Sequence, residues 1–441
     1  MAGALKPGPP QPADVVALAH DGRGIARIDG KAVFVAGALP GERVILRVNK
    51  RRRHMDEADL VEILVPSAER VAPQCAHFGI CGGCALQHLA PAAQLAAKQA
   101  QLLDDLERIG GVAPKRILEP LRGPAWRYRR RARLGVKYVH KKGRVLAGFR
   151  EKDKPYLADI RHCEVLADGF GSLPQDLAVL VDGLSIREHV PQVELAVGDA
   201  GAALVFRVLR PPSAQDTARL AQFAAQRHVQ IHLQSGGIDT IRPLSGSPPP
   251  PLRYAIDAFD LLMEFGPADF VQVNQHINAA MIETAVAELA PDKGDGVLDL
   301  FCGLGNFALP LARRAERVVG IDGEPALIAK ARANAANNGI GNAVFHADNL
   351  FEPGAFGPWA QQRYERVLLD PPRAGAREVI ERMTHWRTRR VVYISCHTGS
   401  LARDAGILVD GQGFELIAAG VMDMFPHTTH VESIAVFERR T

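Results

Sequence analysis

The sequence has 441 residues, 47% of them hydrophobic, with a net charge of +4 at neutral pH, enough chain for two or three domains with sizeable cores. No apolar run is long enough to cross a membrane as a helix and the N-terminal segment lacks the apolar centre of a signal peptide, so a soluble protein in the cytoplasm is expected. The charge is uneven: residues 1–160 carry a balance of +12 and the remainder −8, which points to a polyanion held mainly by the front portion, a solvated basic surface being the alternative.

In chain order, residues 1–11 are proline-rich and read as a disordered tail. Residues 12–68 alternate apolar and polar positions between turn signals, the pattern of short strands closing into a small barrel. Within them, HDGRGIARIDGKAVFVAGALPGE resembles the TRAM domain, an OB-like barrel found on RNA-modifying enzymes. The run Lys50-Arg51-Arg52-Arg53-His54 falls on a hairpin between strands, where cations suit phosphate contacts. Residues 69–262 form a central α+β domain in this reading. It contains a helix over 91–109, stopped by Gly110-Gly111, and an arginine- and aromatic-rich strand over 126–138. That strand either lies along a nucleic acid or is a solvated edge. The rigid loop SGSPPPPL, 245–252, precedes a domain edge near 260. From 263 to 441, strands such as VLDLF, RVVGID, YERVLLD and RVVYISC alternate with helices, which means a doubly wound, mostly parallel sheet. The whole is a multidomain α/β protein.

Chemistry concentrates in that last domain. In VLDLFCGLGNFALPLA, a strand runs through Gly303-x-Gly305 into a helix, and Asp322 ends the next strand, placed to accept hydrogen bonds from ribose hydroxyls. Asp299 and the glycines let a small charged ligand approach the backbone; the arrangement looks like the S-adenosyl-L-methionine site of class I (Rossmann-like) methyltransferases. In LLDPPRAG, two prolines after Asp370 fix the backbone and hold the carboxylate toward the crevice beyond the strand ends. The motif resembles the Asp-Pro-Pro of nucleobase methyltransferases. Arg373 stands where amine-methylating enzymes carry an aromatic, which argues against an exocyclic amine as target. Cys396 ends the following strand and is a nucleophile candidate if it faces the crevice. Its thiol pKa would have to fall from about 8.5, and the start of the next helix is placed to lower it. Glu432 opens the final strand, a charged residue entering an apolar run, as a general base facing a cavity would.

The motifs DLFCGxGNF, DPPR, SC and DMFPHTxHxES together resemble the RNA uracil-C5 methyltransferase family over essentially all of residues 263–441. The resemblance implies Cys396 as nucleophile, Glu432 as base, Asp370 on the uracil or cofactor side of the cleft, and cofactor contacts from Gln272, Phe301, Asn306, Asp322 and Asn349. Asp322 is often glutamate in relatives. The chemistry implied is addition of the thiolate to carbon 6 of uracil, methylation at carbon 5, and removal of the carbon 5 proton by a base.

Four further cysteines, Cys75-x5-Cys81-x2-Cys84 and the distant Cys163, suit either tetrahedral zinc or an iron–sulfur cluster by spacing alone. Family members acting on ribosomal RNA carry a [4Fe–4S] cluster on this spacing, and the resemblance therefore implies that cluster and a 23S ribosomal RNA substrate. Its uridine would be flipped from a loop or refolded strand. No obligate protein partner is implied. Two rivals stand beside this: the same chemistry on tRNA, and a non-catalytic, metal-containing RNA-binding protein.

Overall fold

The structure, a computed structural model, describes residues 8–352 and 356–440; most of the expected N-terminal tail, residues 1–7, lies outside the described residues. The chain divides into two compact units, one formed by residues up to 101 with 150–156 and 425–429, the other by 102–149, 157–424 and the residues from 430 onward.

In the first unit, strands β1 (Gln11–Leu18), β2 (Gly24–Ile28), β3 (Lys31–Val35), β4 (Arg43–Arg51) and β5 (Met55–Val65) close into a barrel in the order β1-β2-β3-β5-β4. Alternation explains the closure: Val15, Ala26, Val33, Val35, Val44, Leu46 and Ala58 point inward and fill the interior. Glu42, from the turn before β4, is buried and bound to Arg70 at 2.6 Å and to the Leu39 amide at 2.8 Å. Burial opposes its ionisation, but these bonds and that of the Ser67 amide hold it below the usual carboxylate range. Beyond the barrel, residues 72–90 form turns around three cysteines, and helix α1 (Pro91–Arg108) begins.

The second unit contains two larger sheets. Strands β6 (Arg116–Ile117), β7 (Arg131–Val139), β8 (Arg144–Gly148), β9 (Gln192–Val197), β10 (Ala202–Arg207), β11 (Val229–Gln234) and β12 (Arg242–Pro243) follow in sequence, with helices α2 (Leu173–Asp182) and α3 (Ala214–Arg227) among them. All but β6 form a six-stranded sheet, β12-β11-β10-β9-β7-β8, whose core includes Leu134, Leu195, Phe206 and, from the two helices, Leu177 and Leu220. The arginine-rich strand starts at Arg131 rather than 126, and its cations are mostly paired. Arg127 meets Asp168 at 3.2 Å, Arg130 meets Asp199, and Arg133 meets Glu194 at 3.0 Å. Acids distant in sequence thus pair with part of a stretch that sequence left open between phosphate contact and a solvated edge. The hairpin β13 (Leu252–Ile256) and β14 (Leu261–Phe265) spans the edge expected near 260.

Helix α4 (Gln275–Leu289) leads into β15 (Gly296–Leu300), α5 (Ala308–Ala312), β16 (Arg317–Asp322), α6 (Pro325–Asn337), β17 (Ala343–Ala347), β18 (Arg366–Leu369), the short α7 (Arg377–Ile380), β19 (Arg390–Ser395), α8 (Thr398–Gly406), β20 (Phe414–Met422) and β21 (Glu432–Arg439). The sheet order is β17-β16-β15-β18-β19-β21-β20-β6. The first five strands are parallel, and β21 inserts antiparallel to both β19 and β20. Strand order reverses beside β15, so a crevice opens at the carboxyl ends of β15 and β18, where doubly wound sheets bind ligands.

Candidate active site

The turn after β15 is built for close approach. Phe301 takes a left-handed conformation (φ +66°), as do Gly303 (+55°) and Gly305 (+96°). Asp322, at the end of β16, reaches back to this turn: one carboxylate oxygen accepts the Gly303 amide at 3.0 Å and the other the Glu324 amide at 2.9 Å. Each oxygen keeps a lone pair for a further donor. The Phe301 ring lies 5.6 Å from that of Phe351, and the exposed Asn349 accepts the Phe351 amide at 3.1 Å. Gln272 is half-buried in the segment before α4. Asn306 is heavily committed: it exchanges hydrogen bonds with Asn278 of α4 (2.9 and 3.1 Å) and accepts from the Tyr254 hydroxyl at 2.9 Å. One N–H of its amide is left over.

Asp299, inside β15, is fully buried, and among the described residues neither of its carboxylate oxygens makes a well-formed hydrogen bond. Burial, then the charges of Asp370 and Asp322, push its pKa well above the carboxylate range, the Ala308 amide pulling weakly the other way. An orphaned buried carboxyl beside a glycine turn fits a cationic ligand.

Asp370 follows β18 and Cys396 follows β19, on neighbouring parallel strands. Ser395 pairs with Ser433 across the antiparallel β19–β21 ladder, so the next step along each strand brings Cys396 and Glu432 to the same rung. The Ser395 hydroxyl accepts the His397 amide at 3.1 Å and donates to the His397 carbonyl at 3.0 Å, folding the chain around Cys396. The thiol is half-buried. Burial, then Glu432 and Asp370, raise it to about 11, while Arg373 lowers it. This reverses the expected helix effect. The cap of α8 is made by the His397 ring, which takes the Ser400 amide at 3.1 Å, so the helix end is already satisfied. Burial and then Asp370 push Glu432 up to about 8, and burial alone raises Asp370 to about 7. Thiol, two carboxyls and the Arg373 cation therefore form one electrostatic cluster. Sequence reasoning missed the opposing pull of Arg373, the Asn278 and Tyr254 partners of Asn306, and the side chains bracing the Asp370 turn; each depends on contacts between residues far apart in sequence.

Cys75, Cys81 and Cys84 are half-buried in the turns of the first unit, where the Gly83 amide donates to the Cys81 sulfur at 3.3 Å. Cys163 belongs to the second unit, its amide bonded to the Gly171 carbonyl. Among the described residues no three or more His, Cys, Asp or Glu side chains are gathered as metal ligands. Cys302 is buried in the glycine turn.

Comparison with known proteins adds two family matches: tRNA (Uracil-5-)-methyltransferase over residues 254–348 and 359–440, and TRAM domain over residues 5–61. A 23S rRNA (uracil(1939)-C(5))-methyltransferase, RlmD, of Methylococcus capsulatus is 49% identical over 439 residues, 99% of each chain. The RlmD of Alkalilimnicola ehrlichii is 50% identical over 425 residues, 96% of each. Among solved structures, the Pyrococcus abyssi tRNA (uracil-54, C5)-methyltransferase in complex with S-adenosyl-L-homocysteine shares the fold at TM-score 0.72 and 23% identity, covering 97% of this chain and 100% of that one.

Proposed function

The chain belongs to the 23S rRNA (uracil-C5)-methyltransferase family, and on that premise we propose that it methylates carbon 5 of a uridine in 23S ribosomal RNA through a covalent adduct on Cys396. The observation that carries the reading is the convergence of Cys396, Glu432 and Asp370 at one end of the sheet.

Carbon 5 of uracil is a poor nucleophile. Addition of the Cys396 sulfur to carbon 6 moves the ring electrons onto carbon 5 and the carbon 4 oxygen, and carbon 5 then forms the new bond. S-adenosyl-L-methionine, when bound, supplies an electrophilic methyl group. Asp322, Gln272, Phe301, Asn349 and the free N–H of Asn306 would hold it, and the orphaned Asp299 suits its positive charge. Glu432 takes the proton from carbon 5, the ring electrons return, and the carbon–sulfur bond breaks. At neutral pH the resting cluster keeps protons on both the thiol and Glu432. The thiol must therefore release its proton to solvent before the sulfur adds to carbon 6, and Glu432 must lose its own before it can act as base, while Asp370 holds the ring or cofactor side of the cleft.

In this reading Cys75, Cys81, Cys84 and Cys163 hold a [4Fe–4S] cluster that positions RNA rather than transferring electrons. What supports it is an all-thiol donor set and the amide donor on Cys81 sulfur. The barrel supplies RNA contacts through Arg51, Arg53 and His54. These are exposed at the β4–β5 tip, without ion pairs among the described residues, whereas Arg52 is held by Glu57 at 2.7 Å. A ribosomal-RNA substrate makes the protein cytoplasmic.

The deciding experiment is labelled methyl transfer onto isolated 23S rRNA and onto tRNA by the wild type and Cys396→Ala. The wild type is expected to label 23S rRNA alone, and Cys396→Ala to bind it without turnover. Turnover by Cys396→Ala would overturn the mechanism, and labelling of tRNA would overturn the substrate.

A further inference from the structure

Helix α8 begins two residues after Cys396, and near its end lies a carboxylate that the chemistry above does not use. The Asp404 side chain is wholly buried. One of its oxygens accepts the Ala376 amide at 2.7 Å and the Tyr393 hydroxyl at 2.7 Å. The other accepts two guanidinium N–H groups of Arg403, at 2.8 and 2.7 Å. Arg403 also donates to the Ala374 carbonyl at 2.8 Å. Asp404 and Arg403 thus grip the backbone on both sides of Gly375 and join three elements: β19 through Tyr393, α8 itself, and the turn that follows Asp370.

That turn is closed by the Gly375 amide on the Pro372 carbonyl at 2.9 Å, with Arg373 exposed on it. Gly375 has φ +89°, and a Cβ there would stand 2.5 Å from both the Asp404 oxygen and the Arg403 nitrogen. The backbone is therefore pressed onto the clamp as closely as a residue without a side chain permits. An ion pair with one partner wholly buried is a weak source of stability compared with apolar packing, but it is demanding about geometry. What this one fixes is the segment from Asp370 to Ala376 relative to the helix behind Cys396.

We propose that Asp404 is a positioning residue that acts on Cys396 through Arg373, holding the Pro372–Gly375 turn, and Arg373 with it, in place relative to the helix that begins behind Cys396. This rests on Cys396 being the nucleophile. The groups that set the charge around that sulfur are Glu432 from β21 and Asp370 and Arg373 from the turn after β18. Arg373 alone among them favours the thiolate, so a turn that drifts leaves the sulfur facing two carboxyls without their counterweight.

The test is the rate at which iodoacetamide alkylates Cys396 at pH 8, followed on its own peptide by mass spectrometry in wild type, Asp404→Asn, Arg373→Gln and the double variant. Far below the thiol midpoint the rate is proportional to the thiolate fraction, so a rise of half a unit to one unit appears as roughly three- to tenfold slower alkylation. Each single variant is expected to be slower by that order, and the double variant no slower than the slower single, since both remove one interaction. The Asp404→Asn kcat is expected to fall by up to roughly 10²-fold with the KM for S-adenosyl-L-methionine unchanged. Wild-type alkylation in Asp404→Asn, or effects that multiply in the double variant, would overturn the proposal. Should Asp404→Asn fail to fold, Arg403→Gln, whose side chain reaches solvent, takes its place under the same criteria. Alkylation needs neither RNA nor methyl donor, so an absence of methyl transfer by the wild type strikes the functional reading without deciding this one.

Discussion

Ser433 faces Ser395 across the β19–β21 ladder, its hydroxyl on the Ser395 carbonyl at 3.2 Å. This pair sets the register of the reacting groups. A slip of one residue would turn Glu432 to the opposite face of the sheet from Cys396. The proposed nucleophile and base are thus placed by backbone pairing rather than by loops.

Separation of the two steps follows from that geometry. Glu432→Gln keeps the shape but cannot take the carbon 5 proton. It is expected to form the RNA adduct and resolve it slowly, with turnover down by about 10²–10⁴-fold. A protein–RNA band that survives denaturing electrophoresis, absent from Cys396→Ala, is the measurement.

The same carboxyl makes stability depend on pH. Its pKa is about 8 in the fold against 4.5 for the free side chain. A raised value means the folded state holds the proton more tightly, so the stability contribution is complete below pH 4.5 and is lost as pH rises through about 8. The full difference is on the order of 5 kcal/mol. Glu432→Gln is therefore expected to melt higher than the wild type at pH 9, with the advantage shrinking steadily toward pH 5 in calorimetric scans.

Asp322 carries a testable affinity. Asp322→Ala removes the acceptor for the Gly303 and Glu324 amides. It is expected to weaken S-adenosyl-L-homocysteine binding by roughly 1.5–3 kcal/mol, the scale of a hydrogen bond to a charged group. Asp322→Glu keeps the carboxylate and is expected to stay much nearer the wild-type dissociation constant in titration calorimetry.

The proposed cluster can be tested separately from the other thiols. Anaerobically purified wild type is expected to contain about four iron and four sulfide per chain. Cys81→Ala should lose both, with the visible absorption, while Cys302→Ala keeps them. Zinc in place of iron would remove the cluster from the account.

At the barrel tip, Arg51→Glu with Arg53→Glu is expected to weaken RNA binding without changing which uridine is methylated. The slope of log affinity against log salt should become shallower by about 0.7 for each phosphate of single-stranded RNA that the variant no longer neutralises. An unchanged slope would place the RNA elsewhere.

Much of this site was legible because its residues stand at strand ends. The apolar runs before Asp370 and Cys396, and the acid opening the run after His430, each mark where a strand meets the crevice; their roles came from the motifs and the family resemblance rather than from period. The chemistry of the thiol was not legible. Its position before a helix suggested a lowered pKa, but His397 caps that helix and two carboxyls lie nearby, so the shift has the opposite sign. The pairing of the arginine-rich stretch was not legible for a related reason: Arg133 finds Glu194, and Arg127 finds Asp168, only after folding. Nothing local in the sequence signals that Asp404 is buried against Tyr393.

The insertion of β21 between β19 and β20 also governs when the enzyme can exist. On a chain emerging from the ribosome, β19 and β20 are both made before the strand that pairs with each of them. Glu432, the proposed base, is therefore synthesised after Cys396, the proposed nucleophile, and a nascent chain ending before β21 lacks it.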